Sequence, residues 1–250
     1  MKKISLPIRL YIKTALKLDS IIEINTKQTH YLSNVMRKNI GDRISIFNGI
    51  DGEFECIIIN KTKKIISCRC EKKIRNQKNE KKLFLIFSPI KKERLFFLIE
   101  KATELGVTNF YPVITEYTQV KKINLERLFL NSCEASEQTG RLSVPSISPI
   151  LNLKPFINKW SHRIPIIFCD ENDSNSFNNL IFKKDINIPL GILIGPEGGF
   201  SDNERVFLNS FQFIHSVSLG ERILRSDTAA VSSLSIIQST IGDWYKKENN

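Results

Sequence analysis

Two stretches of this sequence combine glycine with charge, the first with a proline as well, in a pattern that brings main chain close to a small ligand. The first is Ile194-Gly195-Pro196-Glu197-Gly198-Gly199-Phe200-Ser201, in which three glycines permit close backbone approach and a proline fixes the turn. No Gly-Lys-Ser/Thr follows it, so it is not a phosphate-cradling P-loop, and its spacing is not that of a dinucleotide fingerprint. Taken alone, it is equally well explained as turn chemistry. The second stretch, Leu219-Gly220-Glu221-Arg222-Ile223-Leu224-Arg225-Ser226-Asp227-Thr228-Ala229, alternates apolar and charged residues just ahead of a helix start. Capping by Ser226, a dipole-matched Asp227 and solvated arginines account for it in purely structural terms. A third cluster, Glu134-Ala135-Ser136-Glu137-Gln138-Thr139-Gly140-Arg141, closes a helix. There Arg141 can grip a phosphate or stack on a base while Glu137 orients it; a surface ion pair is the competing account.

Other chemistries are poorly served. The five cysteines (56, 68, 70, 133, 169) are odd in number and scattered, and His30, His162 and His215 are isolated, so neither a disulfide framework nor a metal site is expected. Met1-Lys2-Lys3 imitates a signal-peptide start, but Arg9 and Lys13 interrupt the apolar segment behind it and no small-residue cleavage site follows. No apolar run approaches the ~18 residues of a spanning helix. The expected address is cytoplasmic, with no membrane partner.

The elements that must position these clusters fall into two parts, within the range that 250 residues allow. Runs at 21–25, 43–47, 53–59 and 64–70 predict short strands, with Asn48 to Gly52 as a hairpin turn and Ile66, Cys68 and Cys70 on one strand face. A helix is expected over 29–36, where Leu32, Val35 and Met36 share a face. Residues 71–82 are charged and apolar-poor, which predicts a linker and gives domains at 1–72 and 83–250 around a 73–82 connection. Beyond it, strands at 83–87, 107–115, 164–169, 190–194 and 214–219 alternate with helices at 91–105, from Asn124 to Gly140, from Ser201 and from Ser226. The Pro-interrupted stretch before residue 164 and the polar stretch 170–179 read as loops. This alternation predicts a mostly parallel α/β sheet covered on both faces, with ligands bound outside the carboxyl ends of its strands.

The charge is unevenly shared. The chain carries a formal +11, of which residues 1–75 hold +9 and residues 76–250 only +2. A concentration in one segment predicts an electrostatic footprint for phosphates, with Arg9, Arg37 and Lys38 as RNA backbone contacts.

Together the motifs gain a specificity that none has alone. Gly-Pro-Glu-Gly-Gly-Phe-Ser, the downstream Leu-Gly-x-Arg-Ile-Leu-Arg-x-Asp-Thr-Ala, the upstream Glu-Ala-x-Glu-Gln-x-Gly-Arg and Lys101 to Val107 resemble the SPOUT methyltransferases of the ribosomal RNA uridine-N3 family, RsmE type. The resemblance covers almost the whole chain, including the basic first part, which looks like the family's PUA-like β-barrel. One departure is Asp227, where the family usually has Glu. The resemblance implies an α/β fold with a SPOUT-type trefoil knot, one of the exceptions to the no-knot rule. It also implies a homodimer, and S-adenosylmethionine (S-adenosyl-L-methionine) held by Ile194, Gly195, Pro196, Glu197, Gly198, Gly199, Leu219, Gly220, Ile223 and Leu224. The implied reaction is methyl transfer to N3 of a uridine in 16S rRNA of the small ribosomal subunit. Arg225, Arg141 and Glu137 are its expected catalytic residues. The rival readings are a SPOUT enzyme of different base or ribose specificity and a non-catalytic RNA-binding ribosome assembly factor; the intact glycines argue against the latter.

Overall fold

The computed structural model describes residues 8–175, 177 and 188–244. The part of the 170–179 loop that falls at residues 176, 178 and 179 lies outside them. The chain divides into two compact units, one built from residues up to Asn79 together with Ser136–Val144, the other from Glu80–Ala135 and Pro145 onward.

The first unit is a five-stranded sheet of order β1-β3-β4-β5-β2, made of β1 (Arg9–Tyr11), β2 (Ile21–Ile24), β3 (Arg43–Phe47), β4 (Glu53–Lys61) and β5 (Ile66–Arg75). β1 runs parallel to β3 and every other pairing is antiparallel. The strand alternation seen in the sequence sends Ile66, Cys68 and Cys70 into a core shared with Leu10, Ile22, Ile44, Ile46 and Ile58. Gly52 is required at the hairpin, since its φ is +93° and a Cβ there would lie 2.2 Å from the Arg75 carbonyl oxygen.

Two expectations for this unit are corrected. β5 runs on to Arg75, so the first residues of the 73–82 linker are strand, paired to Glu53 and Phe54 across β4. Charge does not prevent a strand whose outer face is solvated. The helix expected over 29–36 is instead α1 (Thr26–His30) followed by one π-helical turn, Tyr31–Val35. A π turn advances the register, so only Leu32 of the expected apolar face is buried, while Val35 and Met36 are exposed.

The second unit is a parallel sheet of order β12-β10-β11-β6-β7-β8, with β9 also on β7. Its strands are β6 (Leu83–Phe87), β7 (Asn109–Ile114), β8 (Ser146–Ile147), β9 (Leu151–Asn152), β10 (Ile166–Cys169), β11 (Leu190–Ile194) and β12 (Ile214–Val217). β6, β10 and β11 are buried along their whole length, as strands covered on both faces must be. On one face, Leu85, Phe87, Ile192 and Val217 pack with α2 (Lys92–Glu104) and α6 (Ser226–Thr240) through Leu98, Ile99, Ala230 and Leu234. On the other, Ile86, Leu193 and Phe168 meet α4 (Leu153–Lys159) and α5 (Asp202–Asn209) through Phe156, Ile157 and Leu208. α3 (Leu125–Thr139) begins after Asn124, whose side chain accepts from the Arg127 N–H. Its last four residues group with the first unit.

α4 replaces the loop expected there. Leu153, Phe156 and Ile157 are spaced i, i+3, i+4 and all buried, and Pro155 sits in the first turn, where its missing N–H costs nothing. At α6, Arg225 rather than Ser226 is the N-cap; it makes no side-chain cap bond, and Ser226 is the first helical residue, buried. The capping box at Ser201 forms as the sequence indicates, with Ser201 and Glu204 each bonding the other's backbone N–H.

Candidate functional site

The parallel register aligns the carboxyl ends of the central strands: Phe87 lies beside Ile194, Ile194 beside Cys169, and Cys169 beside Val217. The loops leaving those ends therefore gather at one edge of the second unit, and both glycine-bearing motifs are among them. This is where an open parallel sheet takes its ligands.

The Ile194–Ser201 loop is held at both ends. Ile194 accepts from the Ser88 N–H at 3.1 Å, Gly199 donates to the Pro196 carbonyl at 3.0 Å, and Phe200 is buried edge-on against Phe168 with ring centroids 4.8 Å apart. Phe200 explains one glycine, because a Cβ on Gly195 would come within 2.5 Å of its ring. Gly199 has φ +69°, and a Cβ there would lie 2.3 Å from Glu171 Oε1. Gly198 is exposed, with Tyr117 Cβ 3.1 Å from where its own Cβ would stand. The glycines at 195 and 199 thus answer to the loop's own packing, and their presence does not by itself argue for a retained ligand.

The Leu219–Arg225 loop is open by contrast. Gly220 has φ +111° with nothing within 4 Å of a hypothetical Cβ. Ile223 is 86% exposed while Leu219 and Leu224 are half-buried. A large aliphatic side chain is thus left in water beside open main chain. Arg225 is exposed and makes no side-chain hydrogen bond or ion pair among the described residues.

An ion network that the sequence did not reveal joins the glycine loop to the start of α6. Arg94, in the first turn of α2, donates from Nε and Nη2 to the two carboxylate oxygens of Asp227 (3.1 and 2.5 Å) and from Nη1 to Glu197 Oε1 (3.2 Å). Asp227 is thereby held below the ordinary carboxylate range and Arg94 above its usual value, each chiefly by the hydrogen bonds to the other. This supplies Asp227's partner. A second guanidinium, Arg205 on α5, binds Asp170, Glu171 and Asp202 on the other flank of the glycine loop. The one signal for Arg94 was its place, since a cation in a helix's first turn opposes the dipole unless carboxylates hold it.

The remaining expected residues fall in the first unit. Arg9 is not available to RNA. Its guanidinium is nearly buried, stacked 4.5 Å over the Phe47 ring and paired to Glu53 at 2.7 Å; it also donates to the carbonyls of Ser136, Glu137 and Arg141. Positive charge in the sequence carried no information about burial, and Glu53 was the missing partner. Glu137 accepts from the Tyr11 N–H at 2.8 Å, and Arg141 reaches Ser143 Oγ. Arg37 does lie at the surface, in left-handed backbone (φ +53°) just after the π turn, with half-buried Lys38 next to it. Around them Tyr31, Val35, Met36 and Ile40 are exposed, a mixed aromatic, apolar and basic face.

Comparison with known proteins places this geometry. Residues 76–238 match the RNA methyltransferase domain family and residues 24–69 the RNA methyltransferase PUA domain family. A ribosomal RNA small subunit methyltransferase E from Rickettsia conorii is 32% identical over 232 residues, covering 92% of this chain and 94% of that protein. The chain belongs to the ribosomal RNA small subunit methyltransferase E family. A Buchnera aphidicola member of the family is 31% identical over 94% of this chain and 97% of its own. The crystal structure of the Neisseria gonorrhoeae member, solved with bound S-adenosylmethionine, superposes with a TM-score of 0.86 at 25% identity, over 96% of this chain and all of that one. The fold is accordingly the family's α/β, SPOUT-type architecture behind a PUA domain. No helix among the described residues is long and apolar enough to cross a membrane.

Proposed function

We propose that this protein transfers the methyl group of S-adenosylmethionine to N3 of a uridine in 16S rRNA, acting as a cytoplasmic homodimer on the small ribosomal subunit. The observation that carries the reading is the convergence of two glycine-bearing loops, Ile194–Ser201 and Leu219–Arg225, at the carboxyl edge of a parallel sheet in a chain of this family. The residues present fit the cofactor: Leu219, Ile223 and Leu224 offer an apolar wall, and Ile194 to Gly199 with Gly220 offer main chain for a nucleoside's polar edge. When bound, the cofactor supplies a methyl group already activated on a sulfonium.

The protein's task is therefore alignment and control of one proton. N3 lies on the Watson–Crick edge, so the target uridine must be unpaired or turned out of its stack. Transfer forms the N3–carbon bond, breaks the sulfur–carbon bond and releases the N3 proton. Arg225, exposed at the α6 N-cap, is positioned to hold the uracil oxygens on which negative charge develops. Arg37 and Lys38 would hold the RNA backbone, and Arg141, with Glu137, would grip RNA from the first unit.

The test is nucleoside mass spectrometry of 16S rRNA and of small subunits from cells lacking this modification, after incubation with protein and S-adenosylmethionine. 3-Methyluridine at one position is expected, and its loss on Arg225→Ala. A methyl on ribose, on another base or in no RNA at all would overturn the reading. Sedimentation of the purified protein checks the dimer.

A further inference from the structure

Arg94 makes a connection that the packing of the unit does not require. It lies on α2, while its partners lie on two other segments: Glu197 is in the middle of the glycine loop that leaves β11, and Asp227 is the second residue of α6. The guanidinium is only about a quarter exposed, Asp227 less so and Glu197 rather more. One edge of the fork, Nε and Nη2, is used on Asp227, leaving Nη1 for Glu197. An ammonium group has no such divided geometry. Arg94 is the ion-pair partner of Glu197 among the described residues, whereas the end of the loop is anchored by the buried Phe200 ring against Phe168.

We propose that Arg94 is a positioning residue, which sets the distance between the glycine loop and the start of α6 and so pre-shapes the cofactor site before anything binds. The proposal rests on the methyltransferase reading above. Its physical basis is pre-organisation: a loop already in its bound conformation loses less freedom when the ligand arrives. Arg94 touches neither substrate nor reacting atoms in this account; it acts through Glu197 and Asp227. The Asp227 side chain, one methylene shorter than the family's usual Glu, sets how near α2 and α6 must lie for the fork to close.

Four variants test it: Arg94→Met, Arg94→Lys, Glu197→Gln and the Arg94→Met/Glu197→Gln pair. Calorimetric titration with S-adenosylmethionine should show roughly tenfold weaker binding in Arg94→Met, the size expected for coupled neighbours. Arg94→Lys should recover only part of it, and the double variant should be no weaker than Arg94→Met alone. The KM for the cofactor should rise with little change in kcat at saturation. In the cofactor-free protein, hydrogen exchange should quicken at 195–199 and 226–229 in Arg94→Met and stay unchanged in β6 and β11. If wild type binds and Arg94→Met binds equally well, or if exchange quickens throughout the unit, the positioning role is wrong. Failure of the wild-type protein to bind S-adenosylmethionine, with or without RNA, instead overturns the methyltransferase reading and this proposal with it.

Discussion

Arg9 and Arg94 each gather several acceptors around a guanidinium, yet one network is closed and the other half-open. Arg9 donates to a buried Glu53 and to three main-chain carbonyls, with an aromatic ring beneath it, so four donors are engaged in the interior of the first unit. Arg94 binds two side chains at a rim, and one of them, Glu197, is more than a third exposed. The first arrangement can only hold structure together, because there is no face left for a ligand. The second ties loops whose outer surfaces stay free. An arginine's role follows from how its partners are buried, which sequence charge does not report.

The comparison is broken most directly at Arg9. Arg9→Met leaves Glu53 with Arg75 and removes a charged donor from three carbonyls, so unfolding by denaturant should show a loss of about 3–5 kcal/mol. Arg94→Met should cost about 1 kcal/mol or less, since rim pairs contribute little. Equal losses would erase the distinction between closed and open networks. An intermediate effect is expected for Gly199→Ala, whose left-handed φ and close Glu171 should cost about 1–3 kcal/mol together with cofactor affinity. Glu171→Ala in the same background should recover part of that loss, and no recovery would show that backbone strain alone is responsible.

Salt and acid sharpen the comparison further. Arg37→Ala/Lys38→Ala should lower the slope of log RNA affinity against log salt by roughly 1.5, the sum for two single-strand phosphate contacts. Arg9→Lys should leave that slope unchanged if the protein remains folded. The smallest effect concerns Asp227. Its folded pKa lies below the ordinary aspartate value, so the stabilisation by Arg94 is complete above that ordinary value and disappears as pH falls through the lower, folded one. Melting temperature followed from pH 5 downward should therefore fall less steeply in Asp227→Asn than in wild type.

Much of this architecture was readable from local rules. Continuous apolar runs marked β6 and β11, the Ser201 capping box marked the start of α5, and Gly49 and Gly52 marked the hairpin, because each signal is carried by neighbouring residues. α4 was hidden by Pro155, a helix breaker everywhere except in the first turn. The π turn was hidden because inserting one residue into a helix leaves no compositional mark, yet it turns Val35 and Met36 outward. At the site, the glycine loops were found by spacing, whereas Arg94 and Arg205 were missed. The partners of Arg94 lie 133 and 103 positions away, and those of Arg205 other than neighbouring Asp202 lie 35 and 34 away, and no local pattern encodes such pairings. Arg9 was misjudged for the same reason, with Glu53 44 positions distant.

The first unit is not a continuous stretch of chain. Residues 136–144 belong to it, and the three carbonyls that accept from Arg9 are supplied from that segment. During synthesis, at about 5–20 residues per second, the N-terminal sheet can therefore form its hairpins early but cannot complete its interior until some sixty further residues have been made. A protein cut after Asn79 would carry a half-satisfied arginine and an acid in its core, so the piece that looks like a separable RNA-binding module is one the ribosome must finish late.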